Sequence, residues 1–285
     1  MSLTGLPPQV AHVRQAEIAM CIKLIRENFL ECVNIGRDFV RLLQAVSKIP
    51  EFIELWRDIL YNPKTLSPEF SGILQILSIR TSKRYLACRL TPDMESKLVF
   101  LSTQVKFGQQ TKYQLWFCKR YLSSPESQSL VCDFIRYMCA VIHPTNEMLN
   151  SNIVPRWVII GWLLTKCTSN VMAAQAKLAL FYDWLFYDKE KENIMNIEPG
   201  ILVMHHCLKN HPTIAATLMD FLCRMTTEFC PALQAEVWEG IKNAFNDILE
   251  KQVIPDINLL INHPRLDEEL RIMFGKKFPD ICPNR

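Results

Sequence analysis

Glycine is scarce in this chain, with only 8 among 285 residues. None of them forms a Gly-x-Gly-x-x-Gly or Walker-type loop, the sequences whose backbone N–H groups hold phosphates. Long hydrophobic runs are also missing. The most apolar window, residues 157–164, is flanked by Arg156 and Lys166, whereas a membrane-spanning helix needs about 20 apolar residues. We therefore expect neither a nucleotide site of these kinds nor a membrane crossing.

A strong excess of one charge is absent as well. The chain has 32 Lys and Arg against 29 Asp and Glu, a net charge of +3, so any binding of polyanions must come from a local patch. The 11 cysteines are scattered through apolar stretches, with no leader sequence before them. This pattern indicates reduced, buried thiols rather than a disulfide framework.

What the sequence does contain is helical periodicity. Cys21, Ile22, Ile25 and Phe29 follow the three-and-four spacing that places apolar side chains on one helical face. The pattern breaks around residues 34–36 and resumes, which predicts a kink or short interruption there. Apolar residues are 49% of the chain, enough for a continuous core.

Helix starts are marked by a repeated combination of a hydroxyl residue, proline and an acidic residue. It occurs at Ser67-Pro68-Glu69, Thr91-Pro92-Asp93 and Ser124-Pro125-Glu126. The hydroxyl accepts an unpaired backbone N–H, proline supplies a suitable φ, and the carboxylate faces the positive end of the helix dipole. Each of the three is predicted to begin a helix, and Pro50 is predicted to open another.

Further helices are predicted after residue 150, with a solvated loop at Asp188–Asn193. Their predicted ranges are Pro155–Lys166, Thr168–Tyr187, Pro199–Lys209, Pro212–Phe229, Pro231–Lys251 and Leu266–Lys277. Successive helices joined by short turns, at irregular spacing, predict an all-α fold: an irregular α-solenoid of HEAT/armadillo-like helical pairs. No Gly/Ser-rich linker divides the chain, so we expect a single domain over residues 1–285.

Candidate chemistry is limited. His205, His206, Cys207 and His211 carry zinc-binding groups, but adjacent helical residues point about 100° apart and cannot converge on one ion. No nucleophile-and-base pattern stands out, although such sets assemble from distant positions. We therefore predict no catalytic residue, no metal and no cofactor, and expect that the protein is not an enzyme.

The sharpest charge feature lies between residues 80 and 120, where nine Lys or Arg face two acidic residues. Aromatic residues are interleaved with these cations, an arrangement that also occurs in single-strand-binding surfaces. Helical spacing recurs at Tyr113, Trp116, Phe117 and Tyr121, however, which predicts a buried stripe. Arg120 projects into this stripe and must either extend its charged end to solvent or pair. Three interpretations remain: a solvated face without a binding role, docking of an acidic protein partner, or direct nucleic-acid binding. The candidate partner-binding residues are Lys83, Arg84, Arg89, Lys106, Lys112 and Lys119.

Several long blocks of the chain resemble Integrator complex subunit 3, a family whose members also form part of the sensor-of-single-stranded-DNA (SOSS) complex. The similarity extends from about Glu17 to the C-terminus. The blocks are Arg41–Phe52, Leu66–Leu77, Cys88–Leu98, Val105–Gln110, Ser127–Tyr137, Ile159–Val171, Ala176–Phe186 and Asn193–His206.

This resemblance implies a non-catalytic scaffold that is present in the nucleus, with the cytoplasm as a second location. Its implied partners are other Integrator subunits, an OB-fold single-stranded-DNA-binding protein and a small complex-interacting subunit, with single-stranded DNA contacted only indirectly. The implied roles are double-strand-break signalling and repair, processing of small nuclear RNA 3′ ends and attenuation of transcription. Family members are longer at both ends, so the chain corresponds to part of their architecture.

Overall fold

The computed structural model describes residues 8–282, which form seventeen α-helices and four short 3-10 helices. Within this range the nearest approach to a β-sheet is one antiparallel bridge between Lys106 and Ile153. The α-helices are α1 (Pro8–Glu27), α2 (Phe29–Val33), α3 (Arg37–Val46), α4 (Pro50–Tyr61), α5 (Ile73–Leu77), α6 (Lys83–Ala87), α7 (Pro92–Thr103), α8 (Gln110–Tyr121), α9 (Leu130–Ala140), α10 (Asn146–Leu149), α11 (Arg156–Leu164), α12 (Asn170–Phe181), α13 (Glu198–Asn210), α14 (Pro212–Glu228), α15 (Gln234–Glu250), α16 (Asn258–Ile261) and α17 (Glu268–Lys277).

The predicted all-α class is confirmed, with helices packed as pairs. Assignment of these pairs to HEAT-type repeats stays a prediction. The described residues form two compact units, one ending at Tyr85 and the other beginning at Leu86. Within each unit the helices pack on one another. The expectation of a single domain over residues 1–285 stays a prediction.

In the first unit, the predicted break at residues 34–36 is confirmed, since α2 ends at Val33 and α3 begins at Arg37. Gly36 has φ +85°, and a Cβ added to it would lie 2.4 Å from the carbonyl oxygen of Ile79. The backbone N–H of Arg37 donates to the same Ile79 oxygen at 2.8 Å. Only glycine allows this close approach, and the approach holds the start of α3 against the end of α5.

The second unit is organised around α9, whose residues Val131–Ala140 are all buried. Helices α11 and α12 pack on α9, and α13 pairs with α14, which also contacts α15 and α17. Nearly continuous apolar sequence explains why α9 is enclosed on every side, because a helix without a polar face is stable only inside the core.

Two buried ion pairs tie α9 and its neighbours together. Arg136 binds Asp183 through two hydrogen bonds of 2.8 and 3.2 Å, with both side chains at most 1% exposed. Arg156 binds Glu198 at 3.1 Å and also donates to the carbonyl oxygen of Ile142 at 2.7 Å. We call these two pairs the α9 ion-pair layer.

The three predicted helix starts have different outcomes. Thr91 caps α7, because its hydroxyl accepts the N–H of Met94 at 3.3 Å. Ser124-Pro125-Glu126 opens a 3-10 helix, Glu126–Ser129, that leads into α9. The prediction for Ser67 was wrong: its hydroxyl accepts the N–H of Glu69, but α5 begins only at Ile73. The burial of Phe70 holds this segment in a turn, so the tertiary contact overrides the local start signal.

The later helices lie at the predicted places, most of them with shorter ends, whereas α13 extends one residue beyond its predicted range at each end. The predicted helix Thr168–Tyr187 was too long, since α12 ends at Phe181 and residues 182–186 form a turn in which all but Phe186 are buried. The loop at Asp188–Asn193 is confirmed.

Four cysteines, at 132, 139, 207 and 223, are buried, but Cys21 and Cys88 are exposed, so the prediction of burial was wrong for these two. No helix among residues 8–282 is long and apolar enough to cross a membrane.

Candidate protein-docking site

The basic segment of the sequence folds largely into the helical pair α7 and α8. The loop between them carries the bridge to Ile153, with the N–H of Phe107 donating to Asn152 at 2.7 Å and the N–H of Val154 donating to Val105 at 2.8 Å. Gly108 adopts φ +90° at the turn, and its N–H donates to the Gln110 side chain at 2.7 Å. These contacts fix the loop that precedes α8 and the first residue of the helix.

All six predicted partner-binding residues are exposed, but the fold separates them. Lys83 and Arg84 lie in α6 and belong to the first unit, whereas the other four belong to the second. Arg89 forms an ion pair with Asp133 at 3.1 Å, and the Asp133 side chain is only 2% exposed. Arg89 therefore has a structural role already.

Of the four predicted cations in the second unit, the other three have no carboxylate partner among the described residues: Lys106, Lys112 and Lys119. The two acidic residues of the segment bind other groups, and Asp93 also pairs with Lys97 of the same helix at 3.8 Å. The hydroxyl of Tyr121 donates to Asp93, and the hydroxyl of Tyr137 donates to Glu95. The face of α7 and α8 therefore presents positive charge that the protein does not neutralise itself.

The tyrosine contacts change the acidity of both phenols. Burial, followed by the hydrogen bond to Asp93, raises the pKa of Tyr121 to about 12. Burial, followed by the hydrogen bond to Glu95, also raises the pKa of Tyr137. Both phenols thus stay protonated at neutral pH and keep donating to the carboxylates, which holds α8 and α9 to the start of α7.

An apolar cavity of about 390 Å³ lies between α7 and α8. The rings of Phe100 and Tyr113 meet edge to face, with their centres 5.3 Å apart. Trp116 forms another wall, with the Lys97 Nζ 5.9 Å from its ring centre. We call this cavity, together with the exposed Lys106, Lys112 and Lys119, the α7–α8 surface.

The predicted aromatic stripe of α8 is buried in part. Phe117 and Tyr121 are 1% and 8% exposed, as expected, but Trp116 is 47% exposed, so the prediction of burial was wrong for this residue. Consecutive helical residues point about 100° apart, and Trp116 therefore leaves the core face that Phe117 occupies. Arg120 is exposed, as expected for a side chain that extends its charge to solvent, and it also interacts with the Tyr121 hydroxyl.

A second groove follows another face of α8 and was not predicted from sequence. It consists of two cavities of about 400 Å³ each, and both are lined by Gln114 and Trp162. The available signal was Gln114 itself, a polar residue among the core aromatics of α8. Periodicity alone does not reveal a concave surface, because three helices build this one.

The histidine cluster lies beside this groove. His206 stacks on Trp157, with ring centres 4.2 Å apart and planes inclined by 17°. Cys207 is buried, and His211 is exposed at the end of α13. Burial is the main cause that lowers the pKa of His205 and of His206. No group of three metal-binding side chains is found in the part of the chain that the structure describes.

Sequence comparison identifies the family. The profile described as Integrator complex subunit 3 N-terminal matches residues 4–276. The chain belongs to the Integrator complex subunit 3 family. It is 59% identical to Integrator complex subunit 3 of Homo sapiens over 274 residues, 96% of this chain and 26% of that protein. Identity to the Danio rerio protein is 59% over 270 residues, 95% of this chain and 26% of the relative.

The similarity extends to insects. The Integrator complex subunit 3 homolog of Anopheles gambiae is 55% identical over 275 residues, 96% of this chain and 25% of that protein. The chain thus spans about a quarter of the length of the curated relatives that it matches. The resemblance inferred from the sequence blocks is confirmed, and the matching profile describes the N-terminal region of the family.

Proposed function

We propose that this chain is a non-catalytic scaffold segment of an Integrator complex subunit 3, which brings other proteins together in the nucleus. The observation that carries this proposal is the match to the family over residues 4–276. The relatives are named as subunits of a complex. Packed helical pairs support the role, since they provide extended surfaces on which several partners bind.

The proposed partners are those implied for the family: other Integrator subunits, an OB-fold single-stranded-DNA-binding protein and a small complex-interacting subunit. In this proposal, single-stranded DNA is bound by the OB-fold protein and reaches the scaffold only indirectly. The assembly would serve double-strand-break repair, and the Integrator role would serve small nuclear RNA 3′-end processing and transcription attenuation. The nucleus is the proposed location, with the cytoplasm as a second one.

The α7–α8 surface is the proposed contact for an acidic partner. Lys106, Lys112 and Lys119 have no internal carboxylate partner among the described residues, and a neighbouring apolar cavity offers room for an anchor side chain. Interfaces combine a desolvated aromatic centre with a charged rim that steers association. Here Trp116 and Phe100 provide the aromatic centre, and the three lysines provide the charged rim.

The first test is reconstitution of the chain with the OB-fold protein and the small subunit, followed by size-exclusion chromatography. We expect a stoichiometric complex at micromolar concentration. A folded, monodisperse chain that elutes apart from both proteins would contradict the scaffold role of this segment.

The docking surface is tested by the double charge reversal Lys112→Glu and Lys119→Glu. We expect Kd for the acidic partner to rise about tenfold or more, mainly through slower association. The matched control reverses Lys48 and Lys276, two lysines outside the α7–α8 surface, and should leave Kd unchanged. A parallel reversal of Lys83 and Arg84 tests the contribution of α6. Equal binding by all three variants would rule out a charge-dependent contact.

Direct nucleic-acid binding through residues 80–120 is the second candidate function. It is favoured by one observation: Trp116 and Phe100 are exposed at 47% and 37%, next to lysines. Contacts with about three phosphates of a single strand predict a log–log salt slope near −2, so affinity would fall about sixteenfold between 50 and 200 mM salt. Fluorescence anisotropy with labelled dT20 measures this slope, and the absence of binding at 50 mM salt would eliminate the candidate.

A further inference from the structure

The groove along α8 contains polar side chains that the protein leaves unused. Gln114 is 8% exposed, lines both cavities and makes no hydrogen bond with any described residue. Gln128, also 8% exposed, lines the second cavity, and its Oε1 is buried without a hydrogen-bond partner. An unpaired buried polar group costs about 1–3 kcal/mol, and such groups are rare in native structures. The buried Gln128 oxygen is one such group, and it lines the same cavity as the Gln114 amide, which also makes no hydrogen bond with the described residues. Their combination in one cavity requires an explanation.

The chemistry of these groups restricts the ligand. A primary amide offers both a donor and an acceptor, which is the complement of a peptide group. Gln110 adds a third amide, whose oxygen is already occupied by the N–H of Gly108, while Asn210 lines the same cavity from the end of α13. The groove is therefore equipped to bind the backbone of an extended chain that lacks hydrogen bonds of its own.

Aromatic side chains form the walls of the first cavity. Trp157, stacked on His206, faces it from α11, and Phe107 is 57% exposed at its edge. Trp162 lines both cavities and makes the apolar surface continuous from one to the other. Rigid aromatic surfaces of this kind are typical anchor sites for apolar side chains of a partner.

Charge and length define the ligand further. Among the described residues that line the two cavities, Lys166 is the only Lys or Arg, and none is Asp or Glu. The lining residues along α8 extend from Gln110 to Leu122, the residue after its end, which at 1.5 Å per residue is about 18 Å. An extended chain covers about 3.3 Å per residue, so five or six residues span this distance.

We infer that the groove formed by α8, α11 and α13 binds an extended peptide segment of a partner protein. Five or six residues lie along α8, with the peptide backbone hydrogen-bonded to Gln114 and Gln128. The segment is uncharged and partly apolar beside Trp157, and it carries an acidic side chain next to Lys166. This inference does not depend on the partner proposed for the α7–α8 surface, because the groove lies on another face of α8.

Nucleic acid is the other ligand with matching aromatic and amide chemistry, since bases stack on aromatic rings and pair with amides. The observations favour a peptide. Several phosphates require several cations along their path, whereas only Lys166 lines the groove among the described residues. The experiment distinguishes the two classes.

The experiment is selection of a random 12-residue peptide library displayed on phage against the purified full chain. Selected peptides are synthesised with a fluorescent label and measured by anisotropy. We expect clones with an apolar stretch followed by an acidic residue. Their affinity should fall about tenfold or more for Gln114→Leu, which removes the amide, and for Phe107→Ala, which removes an exposed anchor.

Matched controls separate groove binding from general effects. Tyr61→Ala removes an aromatic residue that is 76% exposed and lies outside the groove, and it should leave peptide affinity unchanged. Because Phe107 is exposed, its substitution tests the groove even if Gln114→Leu disturbs folding. The inference fails if no clone is enriched or if the enriched clones bind all variants equally. It also fails if labelled U12 RNA binds with dependence on Gln114 while peptides do not.

Discussion

The α9 ion-pair layer and the exposed side of α8 differ in whether their polar side chains have partners inside the protein. In the layer, Arg136 and Asp183 satisfy each other through two hydrogen bonds, and Arg156 is held by Glu198 and backbone carbonyls. Along α8, by contrast, Gln114 makes no hydrogen bond with the described residues, and Lys112 and Lys119 have no carboxylate partner there. The first region uses polarity for internal structure, and the second leaves it available to a ligand.

This difference has an energetic basis. A buried ion pair is costly to desolvate, and it is tolerated only when geometry satisfies both partners, after which removing one partner is strongly destabilising. Unpaired groups at a groove contribute nothing comparable to folding. Substitutions in the two regions should therefore separate cleanly into effects on stability and effects on binding.

The largest effect is expected for Arg136→Met. This change removes the guanidinium that neutralises the buried carboxylate of Asp183, and it should lower the free energy of unfolding by about 3–5 kcal/mol. The Arg136 guanidinium also lies 5.4 Å from the ring centre of Tyr182, a contact that the substitution removes. Urea denaturation followed by circular dichroism measures the loss.

The matched control is Arg224→Met. Arg224 pairs with Asp220 at 3.0 Å, but both side chains are well exposed, at 55% and 40%. Water solvates the remaining carboxylate after the substitution, so Tm should barely change. Equal losses of stability in the two variants would show that burial does not determine how much the Arg136–Asp183 pair contributes to stability.

An intermediate effect, on the pH dependence of stability, is expected for substitution of His206, which is half-buried at the groove. Burial first, then His205 and Lys209, lower its pKa in the folded state below the usual 6.5. The unfolded chain therefore binds more protons just below pH 6.5, and stability is lost as pH falls through this range toward the folded pKa. For His206→Phe, which keeps an aromatic ring on Trp157, the loss between pH 7.5 and pH 5 should be smaller. An unchanged pH dependence in thermal denaturation would contradict this assignment.

The smallest effect on stability is expected for Gln114→Leu. No described hydrogen bond is lost, and an unpaired polar group is replaced by an apolar one of similar size, so the free energy of unfolding should stay within about 0.5 kcal/mol or rise. Gln75→Leu is the informative control, because Gln75 accepts hydrogen bonds from the N–H and hydroxyl of Ser71 at 2.8 and 3.0 Å. Its loss should cost about 1 kcal/mol. A larger cost for Gln114 would indicate a structural role.

Local helix signals were reliable where nothing competed with them. Thr91-Pro92-Asp93 begins α7 because the cap, the preset φ and the dipole act within one turn. The same chemistry at Ser67-Pro68-Glu69 forms only a turn, since burial of Phe70 determines the path of the chain there. A signal of about 1 kcal/mol is outweighed by the burial of one aromatic side chain.

The candidate docking residues were predicted from sequence as a group, and this stays a prediction, but the internal contacts of each residue could not be predicted. Lys112, Lys119 and Arg89 all belong to one basic segment, yet Arg89 is paired with Asp133, 44 positions away along the chain. Such pairing depends on how α9 lies against the start of α7, which composition does not reveal. The groove at Gln114 was missed for the same reason.

By itself, the amino-acid sequence determined the helical class, most helix positions and the family, because each depends on residues that are close along the chain or on long blocks of identity. Only the tertiary structure decided which charges are neutralised, that Trp116 is exposed, and that Gln114 faces a groove. These properties are set by contacts between helices far apart in sequence. Whether a side chain is buried or hydrogen-bonded depends on a neighbour from another helix. A local stretch of sequence contains only one of the two residues, so it cannot reveal the contact.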